Sequence, residues 1–185
     1  MNIHAIGQNM LFGKVGHFLI ILSFVTSLAA SIAYFFATIN RNDTSKSFPW
    51  INLGRKMFVL HAVAVLGIMI CLLMVIHSHF FEYKYVWEHT SKSLPIYYQF
   101  SAMWSGQEGS TLLWMFWHGV LGCVLIFKAK NWESPVLSIV ALAQVLLGSM
   151  LLGIYVLGYK FGSSPFALMR DTMEIPVFKM NPDWV

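Results

Sequence analysis

Four stretches of the chain carry no Asp, Glu, Lys or Arg: residues 15–39, 57–81, 110–127 and 135–159. Each is about 18 residues or longer, the length that crosses the roughly 30 Å hydrocarbon core of a bilayer at about 1.5 Å per residue. The third is the shortest and would have to stand nearly upright. Lipid offers no hydrogen-bond partners, so every backbone N–H and C=O must be satisfied within its own segment, and runs of this length meet that demand as helices rather than barrel strands. The pattern predicts an all-α, polytopic membrane protein with four transmembrane helices, forming one region over residues 1–185 with no internal repeat. A signal peptide is the competing reading of the first run, because Ser27-Leu28-Ala29-Ala30-Ser31 is loosely cleavable. The apolar stretch continues through Tyr34, Phe35 and Phe36 to Ile39, too long for a typical signal-peptide core.

Composition agrees with the pattern. Of the 185 residues, 57% are hydrophobic and 11% charged, where a soluble domain carries about 25% charged residues. Loop one (40–56) holds Arg41, Lys46, Arg55 and Lys56, and loop three (128–134) holds Lys128 and Lys130. The other side carries Lys14, Lys84, Lys92, Lys160, Arg170 and Lys179 over a much longer stretch of chain. Short Lys/Arg-rich loops stay in the cytoplasm. The N-terminus, residues 82–109 and the tail are therefore expected outside, which in a bacterial inner membrane is the periplasm. The net charge of +4 follows from this topogenic pattern and needs no nucleic-acid partner.

Loop one reads as a linker, because Asn40, Asn42, Asp43, Ser45, Ser47 and Pro49 favour turns. Pro135 suits the start of the fourth helix. Gly148, Gly153 and Gly158 along that helix would allow close helix packing. The tail (160–185) has no further span and closes on Asn181-Pro182-Asp183-Trp184-Val185, an unusual stopping point for a finished protein. Cys71 and Cys123 lie mid-span in different helices as packing residues. There is no C-x-x-C pair and no C-x-x-C-H haem-attachment motif, so the chain is neither a dithiol redox protein nor itself a c-type cytochrome.

Loop two, from Glu82 to Gly109, carries most of the chemistry. Tyr83, Tyr85, Trp87, Tyr97, Tyr98, Phe100 and Trp104 make it unusually aromatic. Such a loop either lies on the membrane interface or lines a flat apolar ligand site. Ile96, Phe100, Met103 and Trp104 fall at helical spacing and predict a short interfacial helix over 96–104. In Trp104-Ser105-Gly106-Gln107-Glu108-Gly109-Ser110-Thr111-Leu112-Leu113-Trp114, two glycines allow a sharp turn into the third span. Ser110 is the expected N-cap, and Glu108 would sit at the positive end of the helix dipole. Trp114 and Trp117 share one face of that helix below Trp104, an aromatic wall suited to a planar ligand or to anchoring at the interface.

The run from Tyr85-Val86-Trp87 through His89 and Leu94-Pro95-Ile96-Tyr97-Tyr98, followed by W-S-G-Q-E-G-S-T-L-L-W, resembles the CcmF/NrfE-type cytochrome c haem-lyase family. That family reads approximately Y-V-A-x-x-S-x-x-x-L-P-x-x-Y-K and then W-G-G-x-E-G-S-L-L-L-W in the matching loop. Gly16-His17-Phe18 opens the first helix as in the family, and Ser164-Pro165-Phe166-Ala167-Leu168 resembles its N-P-F-x-R-L segment. The match keeps order and spacing over nearly the whole chain. Ser105 replaces the usual first Gly of the W-G-G run, and Gln99 stands where Lys is common.

The resemblance implies a part in a haem-ligation machine that handles haem at the outer face for covalent attachment to Cys-x-x-Cys-His of apocytochrome c. It implies haem as the group handled, and apocytochrome c, a haem chaperone and other maturation subunits as partners. The implied candidate rim of a haem platform is Trp104, Gly106, Glu108, Gly109, Ser110 and Trp114, with Tyr85, His89, Pro95 and Tyr98 in the motif loop. The family's W-W-F-W-D haem loop and H-P-P segment do not occur in this sequence. The chain is therefore expected to be an N-terminal portion or split-gene product that does not ligate haem alone, with no catalytic residue or metal ligand identified. Among the histidines, His77 and His79 point to different faces of a helix. His118 lies about 12 Å below Ser110, His17 and His61 are expected at span ends, and His89 is the one in the motif. A haem or solute transporter subunit and a non-catalytic assembly scaffold are the competing functions. The first would need a continuous polar path, for which the spans offer little besides His61, His118 and Gln144.

Overall fold

The structure, a computed structural model, describes residues 10–156 and 159–169. Among the described residues six α-helices run in chain order: α1 (Met10–Ile39), α2 (Thr44–His77), α3 (Lys84–His89), α4 (Ile96–Ala102), α5 (Gln107–Lys128) and α6 (Glu133–Leu152). Four of them, α1, α2, α5 and α6 with the 3-10 turn that precedes it, are long and apolar enough to cross a membrane. The chain is an all-α multi-pass membrane protein. A small antiparallel hairpin, β1 (Ile154–Val156) with β2 (Tyr159–Phe161), follows the last span.

α1 packs on α2 and α6, and α5 packs on the same two helices. The four spans thus close into an up-down ring of antiparallel neighbours. The packing follows a membrane logic in which small residues face inward and bulky ones outward. Along α1, Gly13, Gly16, Ile20, Ser23, Ser27, Ala30, Tyr34 and Ala37 recur every three or four residues and are all buried. Leu11, Val15, Phe18, Ile21, Val25, Ile32 and Phe36 on the other side are exposed to what would be lipid.

The helix limits differ from the charge-free runs in instructive ways. α2 begins at Thr44, so most of loop one is helix rather than linker. Asp43 caps it, its carboxylate accepting from the N–H groups of Ser45 and Lys46, and Pro49 sits inside near the start, where it removes a single backbone bond. At 34 residues, α2 is about 51 Å long and projects beyond a hydrocarbon core at its first turns. His61, expected at a span end, is fully buried on the face of α2 that meets α1. Its Nδ1 lies 2.9 Å from the Ser23 carbonyl and 3.2 Å from the Ser23 hydroxyl. α6 stops at Leu152 because Gly153 takes the left-handed conformation (φ 67°, ψ 58°), the usual glycine helix stop. Gly153 is therefore a terminator and Gly148 a packing residue, while Gly158, Arg170, Lys179 and the closing Asn181–Val185 lie outside the described residues.

At the end of the bundle that carries loops one and three, α6 is tied to α1 and α2 through Glu133. This buried carboxylate accepts two bonds from Arg55, at 2.7 and 2.6 Å, and one from the Tyr34 hydroxyl at 3.5 Å. Both guanidinium bonds are charge-assisted and held in fork geometry.

Candidate functional site at the loop-two end of the bundle

Loop two and the segment after the hairpin form one cap over the opposite end of the bundle. α2 ends at His77, and His79 turns the chain with a positive φ of 52°. The two histidines are therefore not on one helix: His77 Nδ1 lies 3.1 Å from the Gln99 side-chain oxygen, while the His79 ring packs on Phe81. Residues 82–84 then pair with 167–169 in a single antiparallel bridge, with the Lys84 N–H on the Ala167 carbonyl (2.9 Å) and the Met169 N–H on that of Glu82 (3.0 Å). Beneath this bridge, the Phe166 ring lies against Gly16 and the Tyr83 ring against Gly13, where any β-carbon would collide. The Gly16-His17-Phe18 and Ser164–Leu168 segments, far apart in sequence, are thus in direct contact.

Tyr85 organises the motif loop. It is 3% exposed, and its hydroxyl donates toward the carbonyls of Met103 (2.7 Å) and Ala102 (3.1 Å) and accepts from the Gly106 N–H (3.3 Å). Burial pushes its phenol up to about 12, against hydrogen bonds from Gly106 and Ser105 that pull the other way. His89 stacks on the ring at 4.6 Å between centroids and is fixed by Nδ1, 3.0 Å from the Tyr85 carbonyl. A β-carbon on Gly106 would stand 2.8 Å from both His89 Nε2 and the Tyr85 ring, and one on Gly109 would strike the Met103 carbonyl and the Tyr85 hydroxyl. The two motif glycines are required because the motif tyrosine occupies the space of their side chains.

The same packing corrects the cap of α5. The helix starts at Gln107 with Gly106 as N-cap, so Ser110 is inside it. The Ser110 hydroxyl instead donates to the carbonyls of Gly106 (2.9 Å) and Trp104 (3.0 Å), pinning the turn. Glu108 is in the first turn, as expected, and accepts a short hydrogen bond from the Ser163 hydroxyl, so this carboxylate is engaged within the chain. Ser163 was not anticipated from the sequence. Its only signal is its place in Gly162-Ser163-Ser164-Pro165, next to the segment that resembles the family motif.

The residues singled out thus divide into two groups. Tyr85, Gly106 and Gly109 are buried and His89 half-buried, and they shape the cap. Trp104 (42% exposed) and Trp114 (63%), with Pro95 and Tyr98, are on the outside, while Trp117 (55%) is also exposed but lies at the midpoint of α5, about 15 Å into the span and away from the cap. α4 forms as expected but shorter, with Gln99, Ala102 and Met103 buried; of the apolar positions at helical spacing, Ile96, Phe100 and Trp104 stay exposed and Met103 alone turns in. Met103 turns inward because its carbonyl is held by Tyr85. α3 is a further short helix that the sequence pattern did not announce. On α5, Trp114 packs at 6.0 Å from the His118 ring, whose Nδ1 is buried without a partner.

Aromatic side chains on this surface could meet the face or edge of a planar ligand. A metal ion held by protein ligands alone has no such site in view: among the described residues no group of three or more His, Cys, Asp or Glu could hold a metal ion, and His89 is held on Tyr85 with its Nε2 turned to Gly106.

No family model matches the chain. Among curated proteins, it is similar to the cytochrome c-type biogenesis protein CcmF of Haemophilus influenzae, 31% identical over 104 residues, 55% of this chain and 15% of that protein. CcmF of Escherichia coli is 27% identical over 175 residues, 91% of this chain and 25% of that protein. Among solved structures, it resembles cytochrome c haem lyase CcmF with a TM-score of 0.71 at 20% identity, over 85% of this chain and 26% of the other, a likeness of fold. The chain spans about a quarter or less of the length of these relatives.

Proposed function

Starting from a chain that is a CcmF/NrfE-type cytochrome c biogenesis protein over part of its relatives' length, we propose that it serves cytochrome c maturation by presenting haem, as substrate, at the loop-two end of the bundle. The observation that carries this reading is the exposure of Trp104 and Trp114, which flank the turn from α4 into α5, on a cap made from the residues of the family-like motif. Interfacial anchoring alone would not require so rigid a seat. In this reading Trp104 and Trp114 lie against the macrocycle, Tyr98 and Pro95 extend the surface, and Tyr85, His89, Gly106, Gly109, Ser110 and Glu108 fix its shape. The positive charge of loops one and three supports a cap on the periplasmic side of a bacterial inner membrane, where apocytochrome c, a haem chaperone and other maturation subunits would meet it. The transfer itself adds each thiol of Cys-x-x-Cys-His across a haem vinyl group, the S–H hydrogen going to one carbon and sulfur to the other. Iron ligands come from elsewhere in the assembly.

The test uses the intact protein in its native membrane. Two aromatic contacts of about 0.5–1.5 kcal/mol each predict that Trp104→Ala with Trp114→Ala lowers haem retained on purification by roughly five-fold or more, with a matching fall in haem-stained cytochrome c. Unchanged haem and unchanged cytochrome c in the double variant would overturn the reading.

A further inference from the structure

The bundle has a second surface feature, at its other end. A groove of about 620 Å³ runs between α2 and α5, lined by Arg55, Lys56, Val59, Leu60, Val63, Ile126 and Phe127. We propose that this groove is a binding site for one anionic phospholipid, with the phosphate at Lys56 and Arg55 and an acyl chain along Val59, Val63 and Phe127.

The depth of the groove fits such a ligand. From Met57 to His77, α2 is about 31 Å long, one hydrocarbon thickness, so Lys56 and Arg55 stand at the headgroup boundary and Val59 to Val63 dip into the acyl region. Val59, Val63 and Phe127 are exposed, which leaves the groove open sideways, as entry from a bilayer needs. Its shape has a cause in the sequence. α5 comes close to α2 at Gly119 and Gly122, whose β-carbons would meet Ala62 and the Phe58 ring. One turn further on, the bulkier Ile126 and Phe127 form the far wall.

Charge favours an anion. Among the described residues Lys56 has no ion-pair partner. Arg55 spends Nε and Nη2 on Glu133 and keeps its remaining nitrogen unassigned. Glu133 offsets one positive charge, and Lys56, with Lys128 beside Phe127, leaves the mouth positive. Basic pockets between spans are the usual seat of anionic headgroups. Another transmembrane helix is the competing occupant, but helix contacts in lipid select small residues for close approach, and this groove is walled by Val, Leu, Ile and Phe.

The full chain, extracted in mild detergent and given equal phosphatidylglycerol and phosphatidylcholine, tests the site by native mass spectrometry. The expected result is one retained phosphatidylglycerol in preference to phosphatidylcholine, a preference that Lys56→Gln lowers by about five-fold, the effect of one basic charge near a membrane surface. Equal retention of the two lipids by wild type, or an unchanged preference in Lys56→Gln, overturns the proposal. A photoreactive side chain at Val63, activated in membranes, gives an independent reading: a lipid adduct supports the site, and a polypeptide adduct assigns the groove to a helix and overturns it.

Discussion

Replacing Tyr85 by Phe removes one oxygen and leaves the ring. That oxygen donates toward the Met103 carbonyl at 2.7 Å and the Ala102 carbonyl at 3.1 Å, and accepts from the Gly106 N–H at 3.3 Å. All three partners belong to buried residues, and Tyr85 itself is 3% exposed, so water does not step in. A buried carbonyl left unpaired costs about 1–3 kcal/mol, and the long Gly106 contact adds little. A loss of about 2 kcal/mol is expected, confined to the cap because the spans keep their own packing. Local opening of this kind is read by amide hydrogen exchange. Protection over Met103–Thr111 should fall roughly 30-fold, at about 1.4 kcal/mol per factor of ten, while the centres of α1 and α2 keep theirs. The phenol gives a second readout. Its pKa is raised from 10.0 to about 12, so its stabilising effect is whole below pH 10 and is lost as the pH rises through about 12. Wild type minus Tyr85→Phe should therefore show one tyrosinate absorbance step near 12. Protection changed by less than two-fold, or a difference step near pH 10, would refute the account of Tyr85 as the post on which the cap is built.

Gly109→Ala should be at least as damaging, because the new methyl meets a backbone carbonyl and the Tyr85 hydroxyl; overpacking of this kind costs about 1–3 kcal/mol, measurable as increased proteolytic nicking of loop two. Arg55→Met strands the buried Glu133 carboxylate. Breaking a fully buried pair costs about 3–5 kcal/mol, and because Arg55 is 45% exposed a loss nearer 2 kcal/mol is expected, visible as a lowered thermal midpoint in detergent that Arg55→Met with Glu133→Gln partly restores. Trp104→Ala with Trp114→Ala should leave the same midpoint within the roughly 0.5 kcal/mol typical of exposed sites, which separates a surface role from a structural one.

The spans were legible because the bilayer imposes one rule on every residue of a helix, and absence of charge reports it directly. Their ends were not, because the aqueous turns of α2 carry Asp43, Lys46 and Arg55, which a test for uncharged residues rejects although nothing prevents them from being helical. The burial of His61 was hidden for another reason: it depends on the α2 face that meets Ser23 of α1, which absence of charge does not report. The motif loop illustrates a different limit. Its glycines could be read as turn residues, but their reason lies in Tyr85, more than twenty residues away, and in a carbonyl of Met103 whose direction no periodicity encodes. Ser163 is further still from Glu108.

The W-S-G-Q-E-G-S-T-L-L-W run therefore has two kinds of residue. Gly106, Glu108, Gly109 and Ser110 are each committed inside the cap, to Tyr85, Ser163, Met103 and the Gly106 and Trp104 carbonyls respectively. The tryptophans at either end, Trp104 and Trp114, have their rings largely outside it. On the proposed reading, a ligand that meets this surface would be held by the two ends of the motif, while the residues between them set how far apart those ends stand. Substitutions in the middle should then weaken ligand contact only to the extent that they loosen the cap, whereas substitutions at the tryptophans should weaken it with the cap intact. Protection from exchange and ligand retention, measured on the same variants, separate the two.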